Sequence, residues 1–88
     1  MRPDSELMQD SEQIYSCKNL SLSAFLYASG LQFIGAQKIN GDFFFEFSPK
    51  EKAEYLVNLY FSGKANVNPQ TLFARLHDLR DLIFSQKA

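Results

Sequence analysis

Residues 31–48 read LQFIGAQKINGDFFFEFS, and Asn40-Gly41 at the centre of this stretch decides how the rest folds. A two-residue type I′ loop needs positive φ at both central positions, which Asn and Gly tolerate best, so the pair predicts a tight hairpin. The loop fixes the register. Ile39 is expected opposite Asp42, Lys38 opposite Phe43, Ala36 opposite Phe45 and Ile34 opposite Phe47, while Gln37, Gly35 and Phe33 oppose Phe44, Glu46 and Ser48. Because side chains alternate along a strand, Ile34, Ala36, Phe43, Phe45 and Phe47 share the face expected to form the core. The other face carries Phe33, Gly35, Gln37, Phe44 and Glu46. A glycine inside a strand, here Gly35, marks a bulge or a close backbone neighbour. Phe44 is the residue to follow: beneath a helix or the N-terminal arm it is packing, and on an open face it marks a partner surface.

Working outward, residues 13–17 (QIYSC) are β-prone and suit a short edge strand, with Ile14 and Ser16 pointing away from Tyr15 and Cys17. Asn19 is a natural N-cap and Gly30 a natural C′ residue, which predicts a first helix over 20–29 with Leu22, Phe25, Leu26 and Ser29 on one stripe and the serines Ser21, Ser23 and Ser29 solvated. Beyond the hairpin, Ser48-Pro49-Lys50-Glu51 has the form of a capping box with proline at the first helical position. The second helix then buries Ala53, Leu56, Val57 and Tyr60, with Phe61 beside them, and stops at Gly63. Asn68-Pro69 repeats the cap, Val67 serves as an inward anchor, and Leu72, Leu76, Leu79 and Ile83 give the last helix its apolar stripe, flanked by Phe73 and Leu82. Arg75, Asp78 and Asp81 are expected outward, their charges satisfying one another at helical spacing.

Eighty-eight residues suffice for one modest core. A deep substrate cleft is not expected at that size. With nine Phe, four Tyr and no Trp, the core is expected to be led by phenylalanine. Cys17 is the one cysteine, which excludes an internal disulfide and fits a reducing, cytoplasmic setting. No apolar run approaches the roughly 18 residues of a membrane span, and MRPDSELMQD lacks the apolar centre of a signal peptide, so no membrane role is expected and the mature chain is taken as the whole chain. Residues 1–12 hold one base against four acids, net −3, and are expected to be a disordered acidic arm. Residues 13–88, expected to form a single domain, hold eight bases against six acids, net +2.

The chemistry of catalysis is not spelled out in this chain. His77 is the only histidine, so a Cys/His nucleophile pair requires Cys17 to meet His77. A lone histidine on a leucine-rich helix is more often an ordinary exposed residue. Glu46, Glu51, Glu54, Asp78 and Asp81 each have a structural reading as wet-face, capping or ion-paired groups. Ser62-Gly63-Lys64 lacks the first glycine of a phosphate loop, and no metal-ligand spacing occurs, so neither an enzyme, a cofactor nor a small-molecule substrate is expected. Two binding surfaces remain. Phe33, Gln37 and Phe44 on the back of the hairpin, joined by Tyr27 or Tyr55 if near, suit a protein partner or a second copy of the chain, most simply a homodimer. Alternatively Lys38, Lys64, Arg75 and Arg80, with Lys87, form a basic stripe for nucleic acid if the hairpin tip and the last helix share an edge.

The runs Gly30-Leu31-Gln32-Phe33-Ile34-Gly35, Tyr60-Phe61-Ser62-Gly63-Lys64-Ala65-Asn66-Val67-Asn68-Pro69 and Leu76-His77-Asp78-Leu79-Arg80-Asp81-Leu82-Ile83 resemble a family of small bacterial and phage proteins classed only as a domain of unknown function. The resemblance covers about residues 15–84 and its motifs are structural, so it brings no site residues. It implies an association with phages or mobile elements, as an accessory of nucleic-acid transactions or a modulator of a host protein. Taken together, the sequence predicts an α+β fold: a two- or three-stranded antiparallel sheet centred on the Asn-Gly hairpin and covered by three helices.

Overall fold

A computed structural model of the chain describes residues 14–87. The acidic arm expected over residues 1–12 lies outside that range. The elements follow the order β1 (Tyr15–Cys17), α1 (Leu20–Ala28), β2 (Gln32–Ile39), β3 (Asp42–Ser48), α2 (Lys50–Phe61) and α3 (Pro69–Lys87). The three strands form one antiparallel sheet in the order β1-β3-β2, an α+β fold in which the second hairpin strand is central.

The hairpin turns at Asn40 (φ 52°) and Gly41 (φ 87°), both in the left-handed region that the two-residue loop demands. From the turn as far as Gly35 and Glu46 the pairing is the one the loop dictates. There the register slips by one residue, and Phe33 rather than Ile34 pairs with Phe47. The extra residue is a β-bulge, the feature that Gly35 announced. The backbone at Gly35 has φ 158°, yet no atom would lie within 4 Å of an added Cβ, so conformation and not crowding selects glycine.

The bulge reverses two assignments made from strict alternation. Ile34, expected in the core, is 45% exposed. Phe33, expected on the back, turns to the helix side, where its ring lies 5.1 Å from Tyr27 in a stacked pair and 5.5 Å from Phe47. Opposite residues on paired strands share a face, so β1 adds Tyr15 and Cys17 to the side that holds Phe45 and Phe47. Both phenylalanines are wholly buried, together with Leu26, Ala53 and Leu79.

Helix α1 occupies the centre of the core, packing on α3, α2, β1 and β3. Its sequence LSLSAFLYA carries no charge, and a helix apolar on all sides is buried on several. Hence five consecutive residues, Leu22 to Leu26, are buried rather than a single stripe. Ser23 is among them, contrary to its expected solvation, and its hydroxyl donates to the Asn19 carbonyl at 2.7 Å, which satisfies this buried donor. Asn19 caps the helix, its Oδ1 accepting from the Leu22 amide at 3.0 Å. At the other end the Gly30 and Leu31 amides bond back to Tyr27 and Leu26, closing the helix through Gly30 at φ 98°.

The two expected proline caps differ. Asn68 accepts from the Gln70 and Thr71 amides at 2.8 and 3.2 Å, as the sequence implies. Ser48 makes no such bond: it is the last residue of β3, paired with Gln32, and Pro49 itself stands at the cap of α2 without a side-chain bond. The sheet has taken the residue that the capping box required. On α2, Ala53 is fully buried while Leu56, Val57 and Tyr60 pack against the core, but Phe61, expected beside them, is 69% exposed.

Candidate functional site

Helices cover one side of the sheet. On the other side the pairing aligns Ser16, Gly35, Gln37, Ile39, Phe44 and Glu46, with Ile34 added by the bulge. Among the described residues no element packs over these positions, and neither Phe44, Ile34 nor Ile39 belongs to the side chains packed against the core. Phe44 is half-buried at the middle of the central strand, Ile34 and Ile39 are 45% and 46% exposed, and Gln37 stands directly opposite Phe44. The Gln37 Nε2 donates to Glu46 Oε2 at 3.1 Å, a bond between the polar residues opposite and next along from Phe44 on this face. Lys18 and Asp42, 3.6 Å apart and both exposed, frame the hairpin end.

Of the three residues expected to form a protein surface, Gln37 and Phe44 are therefore neighbours, while Phe33 lies on the opposite side. Tyr27 is also on that side, stacked on Phe33, and Tyr55 is exposed on α2. The bulge supplies Ile34 in place of Phe33. Gly35 was its one signal in the sequence.

The basic set is distributed over three segments. Lys38 lies on β2 with its Nζ 5.7 Å from the centre of the Phe43 ring, and Lys64 lies in the connection after α2. Arg75 was expected outward, but its guanidinium carbon sits 4.5 Å above the Tyr27 ring while Nη1 meets Asp78 Oδ2 at 3.1 Å. A cation stacked on an aromatic ring that is itself stacked on Phe33 ties α3 to the core. Arg80 is exposed on α3, whose main packing partner is α1 and not the hairpin, and the side chain of Lys87 lies outside the described part.

Cys17 and His77 are not brought together. The thiol is buried and points toward the Asn19 carbonyl at 3.5 Å, whereas His77 is 75% exposed with Nε2 at 3.3 Å from Asp81 Oδ2. Among the described residues no group of three His, Cys, Asp or Glu side chains is placed to hold a metal ion. Tyr15, at the start of β1, is the one described group whose acidity clearly shifts. Burial first, then the neighbouring Cys17 and Glu54, push its hydroxyl above the ordinary value.

A second feature was not expected from so short a chain. Between α1, the end of α2, the connection at 62–68 and the start of α3 lies a pocket of about 350 Å³. Its wall is mostly apolar, with Ser21 and Tyr60 its hydroxyl-bearing residues, and it includes the buried Phe25 as well as Phe73, which is 66% exposed. Phe73 sits off the buried stripe of α3, and that displacement was the available signal. No described helix is long and apolar enough to cross a membrane. Comparison of the chain with protein-family models, with curated proteins and with solved structures finds no match.

Proposed function

We propose that this protein is a non-catalytic interaction module that binds a protein partner, or a second copy of itself, through the side of the sheet opposite the helices. The observation that carries this reading is Phe44. It lies at the middle of an apolar strip with Ile34 and Ile39, on the central strand, where no described element covers it. Aromatic residues at the centre of such a patch, ringed by polar neighbours like Gln37 and Glu46, are what protein interfaces are built around. Self-association is the simplest form. Strand β2 is an edge of the sheet, its outer backbone groups invite pairing across a two-fold axis, and such pairing joins two Phe44 strips into one surface. The resemblance noted above adds a setting, in which the module is encoded by a phage or mobile element.

Sedimentation equilibrium of the full chain and of Phe44→Ser tests this reading. The unsubstituted protein is expected to associate, with itself or with a captured protein, and Phe44→Ser to weaken that association while its circular dichroism stays unchanged. Association that is indifferent to Phe44→Ser would sink the role given to this face.

A further inference from the structure

We propose that the partner of this module is a second copy of the chain, joined edge to edge through β2 in one antiparallel register whose two-fold axis passes at Gln37. Two three-stranded sheets then become one of six strands. The inference rests on the sheet reading above, in its self-associating form, and goes further by fixing which residues meet. The sheet has two edges, and only one suits the task. Strand β1 is three residues long, whereas β2 has eight, contains no proline, and pairs with β3 alone among the described strands. A long edge of this kind is a template for another strand, and a very short one is not.

The turn decides which backbone groups β2 offers. The pair flanking a two-residue loop, Ile39 with Asp42, exchanges both of its backbone bonds, and bonded and non-bonded pairs alternate from there. Ile39, Gln37 and Gly35 therefore spend their amides and carbonyls on β3. Lys38 and Ala36 turn theirs outward. The regular part of the edge is bounded by the turn at Asn40 and by the register shift beyond Gly35, so it runs over Gly35–Ile39 with Gln37 at its midpoint.

Outward groups must meet outward groups, which leaves three symmetric registers. Placing Ala36 against Ala36 of the second copy carries Lys38 into the bulge. Placing Lys38 against Lys38 of the second copy sets like charges opposite each other and carries Ala36 into the turn. The axis at Gln37 avoids both faults. Lys38 and Ala36 of each copy then bond with Ala36 and Lys38 of the other, and the whole regular edge is used. Size agrees with this choice on both faces. Ile39, 46% exposed, comes to lie against Gly35 of the second copy, where nothing lies within 4 Å of the place a Cβ would take. On the helix side the long Lys38 faces the small Ala36. A lysine on an edge strand usually discourages pairing, but the Lys38 Nζ is drawn inward over Phe43 of β3, 5.7 Å from its ring centre.

Register-specific crosslinking of the full chain tests this assignment. A non-bonded antiparallel pair brings its Cα atoms to about 4.5 Å, within the span of a disulfide. Under oxidised glutathione, Gln37→Cys is expected to form a covalent dimer at least about tenfold faster than Ile39→Cys, whose counterpart in the second copy is Gly35. Cys17 is buried, and the unsubstituted chain serves as its control. Lys38→Pro removes an amide that β3 does not use, so circular dichroism should hold while dimer dissociation in sedimentation equilibrium rises about tenfold or more. A chain that stays monomeric overturns the assignment, as does equal crosslinking at Gln37 and Ile39, or a dimer indifferent to a folded Lys38→Pro. A monomer that still captures another protein through Phe44 would overturn this register alone and leave the sheet-face reading standing. A dimer lost in Lys38→Pro but untouched by Phe44→Ser would do the reverse.

Discussion

The two sides of the sheet use the same residue type for opposite ends. On the helix side Phe45 and Phe47 are wholly buried in one cluster with Leu26, Ala53 and Leu79. On the other side Phe44, one position away on the same strand, has Gln37 opposite it and no helix above it. The difference shows that phenylalanine content does not measure core size in this chain. Position in the pleat does, and the pleat is set by the turn and by one bulge.

The largest effect should come from breaking the helix side. Phe47→Ala removes a ring that touches Tyr27 and Phe33, and truncations of this kind cost about 3–5 kcal/mol. Urea unfolding should show a fall of that order, whereas Phe44→Ala should cost well under half as much. Equal losses for the two would mean that the sheet is covered on both sides. A smaller effect sharpens the contrast between the sheet and the helices it feeds. Asn68→Ala removes the acceptor for two amides of α3 and should cost about 1 kcal/mol, while Ser48→Ala, at a position that makes no cap bond, should stay within about 0.5 kcal/mol in the same assay.

The smallest effect concerns alkaline pH. Tyr15 is held neutral by burial, so its hydroxyl ionises more readily in the unfolded chain than in the folded one. The folded state then binds more protons above the ordinary tyrosine value of 10.0, and stability is full below that pH and declines as pH rises through it. Tyr15→Phe should flatten that decline in thermal melts between pH 9 and about 11. An unaltered slope would show that Tyr15 is no more buried than the tyrosines of the helices.

Much of this architecture was written locally. Asn40-Gly41 fixed the turn, Asn19 and Asn68 fixed two helix starts, and Gly30 fixed a helix end, because each needs only its immediate neighbours to act. What was hidden depends on distant partners. The capping role of Ser48 was lost to its pairing with Gln32, and Arg75 turned inward because Tyr27, far away in sequence, offered a ring. The candidate surface was half legible for the same reason. Gln37 and Phe44 follow from the turn, but Phe33 and Ile34 exchange places beyond Gly35, where alternation alone gives the wrong side. The apolar pocket was not legible, since it arises where three helical segments meet without filling the space between them.

The bulge means that β2 carries two reading frames of burial. From Ile39 back to Gly35 the even-numbered residue Ala36 looks toward the helices, and from Phe33 onward the odd-numbered one does. One residue therefore acts as a parity switch, converting a strand that would show two aromatic rings to one side into a strand that sends Phe33 to lock α1 and leaves an isoleucine outside. Straightening the bulge without deleting a residue would merge the frames, placing Ile34 opposite Phe47, returning Phe33 to the open side and leaving Tyr27 without the ring it stacks against. The stability of the helical layer and the composition of the open face are thus not independent quantities in this molecule: a single backbone step divides the aromatic residues between them.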